Sequence, residues 1–212
     1  MIVTVTGDLR GKFGCARDQG ARPTCLAFAT SDLHAASRPL SFVPLSTEYL
    51  YFHAVQRSNP PDPDDGVTLM AIATALRLDG QPLETAWPYL TSVPADVSEW
   101  KPPKGVSVFR QTLVNKTKSI IATAIDSRQP VLLCLRISSA FHAPDKQGIV
   151  AHLKNDPDTG YHAVVALGHG LLGISPIILV RNSWGEDWGL NGCGWLHSSY
   201  VSERLHSMSI IL

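Results

Sequence analysis

An α+β fold is predicted, and three observations predict it. Apolar residues recur at helical spacing between about Cys25 and Gly80; short β-type runs bounded by Gly-rich turns take over from Pro130; and the two patterns do not interleave along the 212 residues. Helices gathered in one stretch and strands in another pack as a helical layer against a sheet, whereas alternation would give parallel βαβ units. The first helix is expected from a cap at Thr24 through Leu26, Phe28, Leu33 and Ala36. Ser46 is placed to cap a second, over 47–56, which stops before Asn59-Pro-Pro-Asp-Pro63. Thr68 is placed to cap a third, over 69–78, ended by Gly80. A polar, Pro-rich connection spans about 81–105, and a fourth helix is expected at 118–127. Strands are expected at 131–137, 162–167, 176–181, 192–197 and 207–212, with a polar excursion over 140–159.

Charge narrows the function classes. Lys and Arg number 18, as do Asp and Glu, so the chain has no basic excess with which to follow a phosphate backbone, and nucleic acid is not an expected partner. The longest apolar runs, such as 131–135 and 163–167, are five residues, against the about twenty that a membrane-spanning helix needs. No membrane partner is expected. The first residues show no charged segment followed by a long apolar one, so no signal peptide is read. Four scattered cysteines (15, 25, 134, 193) make neither a disulfide scaffold nor a zinc knuckle. No metal and no cofactor are expected. The cysteines favour a reducing compartment: the cytoplasm, or delivery into a reducing cytosol.

Three segments carry residue types suited to chemistry. In Asp18-Gln-Gly-Ala-Arg-Pro-Thr-Cys25, the cysteine stands at an expected helix start. Free N–H groups and the helix dipole there favour a thiolate. A lone cysteine is more often a small buried hydrophobe, and the helix start argues against that reading. In Gly160-Tyr-His162, the imidazole opens an apolar strand. In Arg181-Asn-Ser-Trp184, an amide ends a strand beside an indole that can shield a hydrogen bond from water. Gly168-His-Gly-Leu-Leu-Gly173 formally fits a dinucleotide-binding fingerprint, but a strand rather than a helix is expected after it, so it reads as a hairpin.

Together these segments resemble the papain family of cysteine peptidases. Gln19-Gly20 and Cys25-Leu-Ala-Phe28 match the family's nucleophile segment. His162-Ala-Val164 matches its histidine segment, and Arg181-Asn-Ser-Trp-Gly185 with Asp187-Trp-Gly189 its asparagine segment. Cys25 and His162 lie 137 residues apart, inside the usual roughly 130–150, and Asn182 lies slightly beyond it. Weaker similarity covers Asp8-Leu-Arg10, 45–50 and Asp65-Gly66. The chain is identified as a divergent, bacterial-type member without a visible prosegment.

The resemblance implies a single two-lobe catalytic domain over 1–212, mostly helical at 15–105 and mostly β at 106–212, with the active site in the cleft between. It implies Cys25 as nucleophile, His162 as general base and then acid, Asn182 as the group orienting the imidazole, and Gln19 with the Cys25 N–H as oxyanion donors. Gly66, Val67, Ala163 and Trp184 are the implied substrate contacts. The implied activity is endopeptidase hydrolysis of a protein or peptide through a thioester. An effector or toxin domain restrained by a cognate inhibitor or immunity protein is one role; a cytosolic processing peptidase is another. A glutamine deamidase or transglutaminase-like acyl transferase, and a catalytically silent binding module, remain as alternatives. Arg22-Pro-Thr24 and Leu26 depart from the family's Cys-Gly-Ser and Trp, which removes one half of a family disulfide.

Overall fold

A computed structural model describes residues 2–39, 41–117 and 120–212. Its helices α1 (Cys25–Ser37), α2 (Thr47–Val55) and α3 (Leu69–Leu78) follow a strand, β1 (Val3–Asp8). They are succeeded by β2 (Leu113–Asn115), α4 (Ile121–Asp126), β3 (Val131–Ser138), β4 (Asp158–Leu172), β5 (Ser175–Arg181), β6 (Cys193–His197), α5 (Ser198–Arg204) and β7 (Leu205–Ile211). The expected α+β class holds. The sheet is antiparallel in the order β2-β7-β3-β4-β5-β6, with β1 added on β4.

Residues 26–36 of α1 are all buried, small residues among them. A helix buried on every side belongs in a protein interior, and α1 accordingly packs against α2 and α3 on one flank and β4 and β3 on the other. Ser46 and Thr68 do cap α2 and α3, accepting from the Tyr49 and Ala71 N–H groups at 3.1 and 3.2 Å. Thr24 is the residue before α1, yet its hydroxyl caps nothing. It bonds the Tyr89 hydroxyl at 2.9 Å instead. The fourth helix is shorter than expected; Lys118 and Ser119 of the expected span lie outside the described residues.

Side-chain alternation in β3 divides the core. Leu132 and Cys134 face the helices with Ala163, Val165 and Ile211, while Val131, Leu133 and Leu135 face the other side with Val164 and Ala166. A sheet covered on both faces needs apolar residues at successive positions, which accounts for the continuous runs at 131–135 and 163–167.

Three elements escaped the sequence pattern: β1, β2 and α5. β4 is also longer than the expected 162–167, because its far half pairs with β5 and β1. The hairpin turn is at Gly173-Ile174, while Gly168 and Gly170 lie inside the strand. A Cβ at Gly170 would sit 2.3 Å from the Thr4 carbonyl oxygen, and one at Gly168 would sit 2.9 Å from that of Gly7. Those two glycines let β1 approach β4, a packing role and not a phosphate cradle. No helix among the described residues is long and apolar enough to cross a membrane.

Candidate active site

Cys25 opens α1, and His162 lies in β4 next to Ala163. Both residues line one cleft of about 460 Å³. Its other walls come from Leu26, Val67, Thr68 and Leu69 on the helical side and Cys134, Tyr161, Ala163, His206 and Ser207 on the sheet side. The cleft therefore runs between the two layers, with the thiol from one and the imidazole from the other.

Behind the imidazole, His162 Nε2 meets Asn182 Oδ1 at 2.6 Å. The Ser183 N–H also donates to that oxygen at 2.8 Å. Because a backbone donor already requires an acceptor there, the amide orientation is fixed, and the imidazole must bond it through an Nε2–H. Nδ1 is left with the lone pair. The Trp184 ring tilts over His162 at 4.6 Å between centroids, Phe141 and His162 meet edge to face at 5.8 Å, and His142 stacks on Trp184 at 5.0 Å. These rings keep water from the His162–Asn182 bond.

Electrostatics differ from the expectation drawn from the helix start. Burial pushes the Cys25 thiol up, opposed by the N–H groups of Ala163, Leu26 and Cys25 itself. Burial also pushes His162 down to about 4, against the Asn182 hydrogen bond, which favours the charged ring. The helix N–H groups act in the anticipated direction, but desolvation of the anion is larger. Burial thus favours the neutral form of each group, and neutral imidazole is the form that can accept a proton.

Gln19 is buried, with its carboxamide held at both ends. Its oxygen accepts from the Ser183 hydroxyl at 2.7 Å and its nitrogen donates to the Arg22 carbonyl at 2.8 Å, leaving one amide hydrogen unused. The turn with Gln19 at its centre is closed by the Gly20 N–H donating to Asp18 Oδ1 at 2.8 Å, with Gly20 at φ +59°, where a side chain would be strained.

Asp32, seven residues into α1, ties the two layers together. It accepts from Arg17 at 2.8 Å and from Arg181 Nε at 2.7 Å, and Arg181 also donates to the Gly14 and Cys15 carbonyls. The residue next to Asn182 is thereby anchored to the helix that begins with Cys25.

Of the four expected substrate contacts, Val67 and Ala163 line the cleft. Gly66 borders an adjoining hollow of about 440 Å³ together with Val67 and Thr68, and Trp184 covers His162 rather than the cleft. The sequence reading missed Cys134, His206 and Ser207, which enter through strand register: Cys134 stands opposite Ala163 on one side and Ser207 on the other. Their alternation within apolar runs was the available signal.

The family model for papain family cysteine proteases matches residues 8–207. The chain is 30% identical over 183 residues to oryzain gamma chain of Oryza sativa subsp. japonica, covering 83% of this chain and 49% of that protein. It is also 30% identical over 186 residues to pro-cathepsin H of Mus musculus, covering 83% and 54%. The chain spans about half the length of these curated relatives. Among solved structures, xylellain from Xylella fastidiosa superposes with a TM-score of 0.77 at 20% identity, covering 99% of this chain and 86% of that one. Procathepsin L 3 from the Tenebrio molitor larval midgut gives 0.81 at 17%, covering 100% and 70%. At such identities these structures speak for the fold, and the match over 8–207 for the lineage: the chain belongs to the papain family of cysteine proteases.

Proposed function

We propose that this chain hydrolyses peptide bonds with Cys25 as nucleophile. One observation carries the reading: a thiol at the head of a buried helix and an imidazole oriented by Asn182 line the same cleft from opposite layers. His162 Nδ1 takes the thiol proton as sulfur attacks the substrate carbonyl. The tetrahedral oxyanion receives the Cys25 N–H and the free amide hydrogen of Gln19. Imidazolium then protonates the leaving amine, and water, deprotonated by the same ring, hydrolyses the thioester. Orientation by Asn182 keeps Nδ1, not Nε2, towards the cleft throughout.

Val67, Leu69, Leu26 and Ala163 favour an apolar substrate side chain in the cleft, with Cys134 and Ser207 also in its lining. A deamidase or acyl transferase would use the same thioester, and release of ammonia without a new peptide terminus would identify it. Mapping of new termini in a cell lysate, with Cys25→Ala as control, tests the peptidase reading directly and reports any restricted substrate set, as expected of a processing or effector enzyme.

Gln19→Ala is expected to lower kcat by about 10²–10³ with little change in KM, because the donor acts on the oxyanion and not on the ground-state carbonyl. Alkylation of Cys25 by a haloacetamide develops no such oxyanion and should keep its rate. A parallel fall in both rates would make Gln19 a scaffolding residue. We propose a reducing location, on the scattered spacing of Cys15, Cys25, Cys134 and Cys193 along the chain. The intact mass of the native protein should be the same with and without reductant; a two-dalton gain on reduction would contradict this.

A further inference from the structure

Arg22 stands three residues before Cys25, and its side chain is almost wholly buried. The guanidinium forms a forked pair with the fully buried Glu48 of α2, at 2.7 and 3.1 Å, and donates to the Leu90 carbonyl at 2.6 Å. Tyr89, Tyr51 and Trp100 surround it, with ring centroids 5.1, 5.4 and 6.0 Å away. Glu48 is itself saturated, accepting from Trp100 Nε1 at 2.7 Å and the Leu90 N–H at 3.0 Å. Arg22 Nε has no partner among the described residues, but the five hydrogen bonds made by the pair leave the Arg22 backbone little freedom.

That backbone is what the proposed oxyanion donors rest on. The Arg22 carbonyl accepts the Gln19 amide at 2.8 Å and the Thr24 N–H at 2.8 Å. Tyr89, stacked against the same guanidinium, donates its hydroxyl to the Gln19 carbonyl at 2.7 Å and bonds the Thr24 hydroxyl. We propose that the buried Arg22–Glu48 pair is a positioning device for the oxyanion donors, acting through the Arg22 carbonyl on the Gln19 amide and on the turn that delivers the Cys25 N–H. The inference rests on the catalytic reading of Gln19 given above and goes one step behind it. It also gives a reason for an expensive charge to be buried beside the nucleophile: replacing a buried ion pair by neutral groups of similar volume is often harmless to stability, so the pair's value lies in geometry.

The test is kinetic. Arg22→Met/Glu48→Gln removes both charges together, and the glutamine oxygen can still accept from Trp100 Nε1 or from the Leu90 N–H. This variant is expected to fold, as read by circular dichroism and thermal unfolding, and to lose about 10²-fold in kcat, the cost of a donor misplaced by about an ångström, at nearly unchanged KM. Its Cys25 alkylation rate should match that of the wild type. Arg22→Lys, which keeps the charge but not the fork, should lose less, and it serves as the folded variant if the double replacement does not fold. Combined with Gln19→Ala, the Arg22 and Glu48 changes should cost clearly less than they do alone, since only the Cys25 N–H is then left to position. Wild-type kcat in a folded variant, alkylation falling together with kcat, or losses that multiply fully in the Gln19→Ala background would each overturn the inference. An unaltered kcat in Gln19→Ala alone would instead remove the oxyanion reading on which it stands.

Discussion

Cys25→Ala is expected to abolish peptide hydrolysis, by a factor on the order of 10⁴ or more, while leaving the fold in place. Covalent catalysis has no substitute for its nucleophile, and residual rates in such variants come only from binding and oxyanion contacts. The side chain loses one sulfur at a cleft wall, not in the middle of the core, so thermal stability should move little. The measurement is turnover of an extended peptide substrate by purified variant. Undiminished turnover would place the chemistry on another residue.

The second large effect is on stability and concerns acid. His162 and His34 are both pushed down to about 4 by burial; His34 sits inside α1 with its Nδ1 2.9 Å from the Gln81 amide oxygen. In the unfolded chain each ring titrates near 6.5. Between those values the unfolded state binds more protons than the folded one, so stability rises with pH across the window. It is fully present above about 6.5 and is lost progressively as pH falls to 4. Each ring contributes on the order of 3 kcal/mol to that loss, and His53 and His197, shifted the same way, add to it. For a chain of this size the two buried rings together correspond to a drop of roughly 10–20 °C in Tm. His34→Gln should remove a third to a half of the slope between pH 6.5 and 4, on the order of 3 kcal/mol, which differential scanning calorimetry at several pH values would read. A Tm that is flat over this range, or a slope untouched by His34→Gln, would mean that the rings are protonated in the folded protein.

The segments around Cys25, His162 and Asn182 were legible because each combines a chemically distinctive residue with a strong local signal: a helix start, a strand start, a strand end. Ser46 and Thr68 were legible as caps for the same reason. What escaped is non-local. The alternating Val3-Thr-Val-Thr6 becomes a strand only because Gly168 and Gly170 let it approach β4, a partner some 165 residues away. Ser198–Arg204 is too short and too polar for its helical period to register. Thr24 had the right identity for a cap, but Tyr89, distant in sequence, competes for its hydroxyl. The direction of the Cys25 shift is not legible for a related reason: the helix start is local and readable, whereas the burial that outweighs it is supplied by the whole fold.

The Asp32 carboxylate, gripped by Arg17 from the N-terminal segment and by Arg181 from the end of β5, has a mechanical meaning. It rivets the jaw carrying the sulfur to the jaw carrying the imidazole's support. Such a vice has little compliance, so the gap between its jaws is set before any peptide arrives. On the hydrolysis proposed above, a polypeptide would have to extend itself to fit, so loose segments of a target are expected to be cut in preference to folded ones.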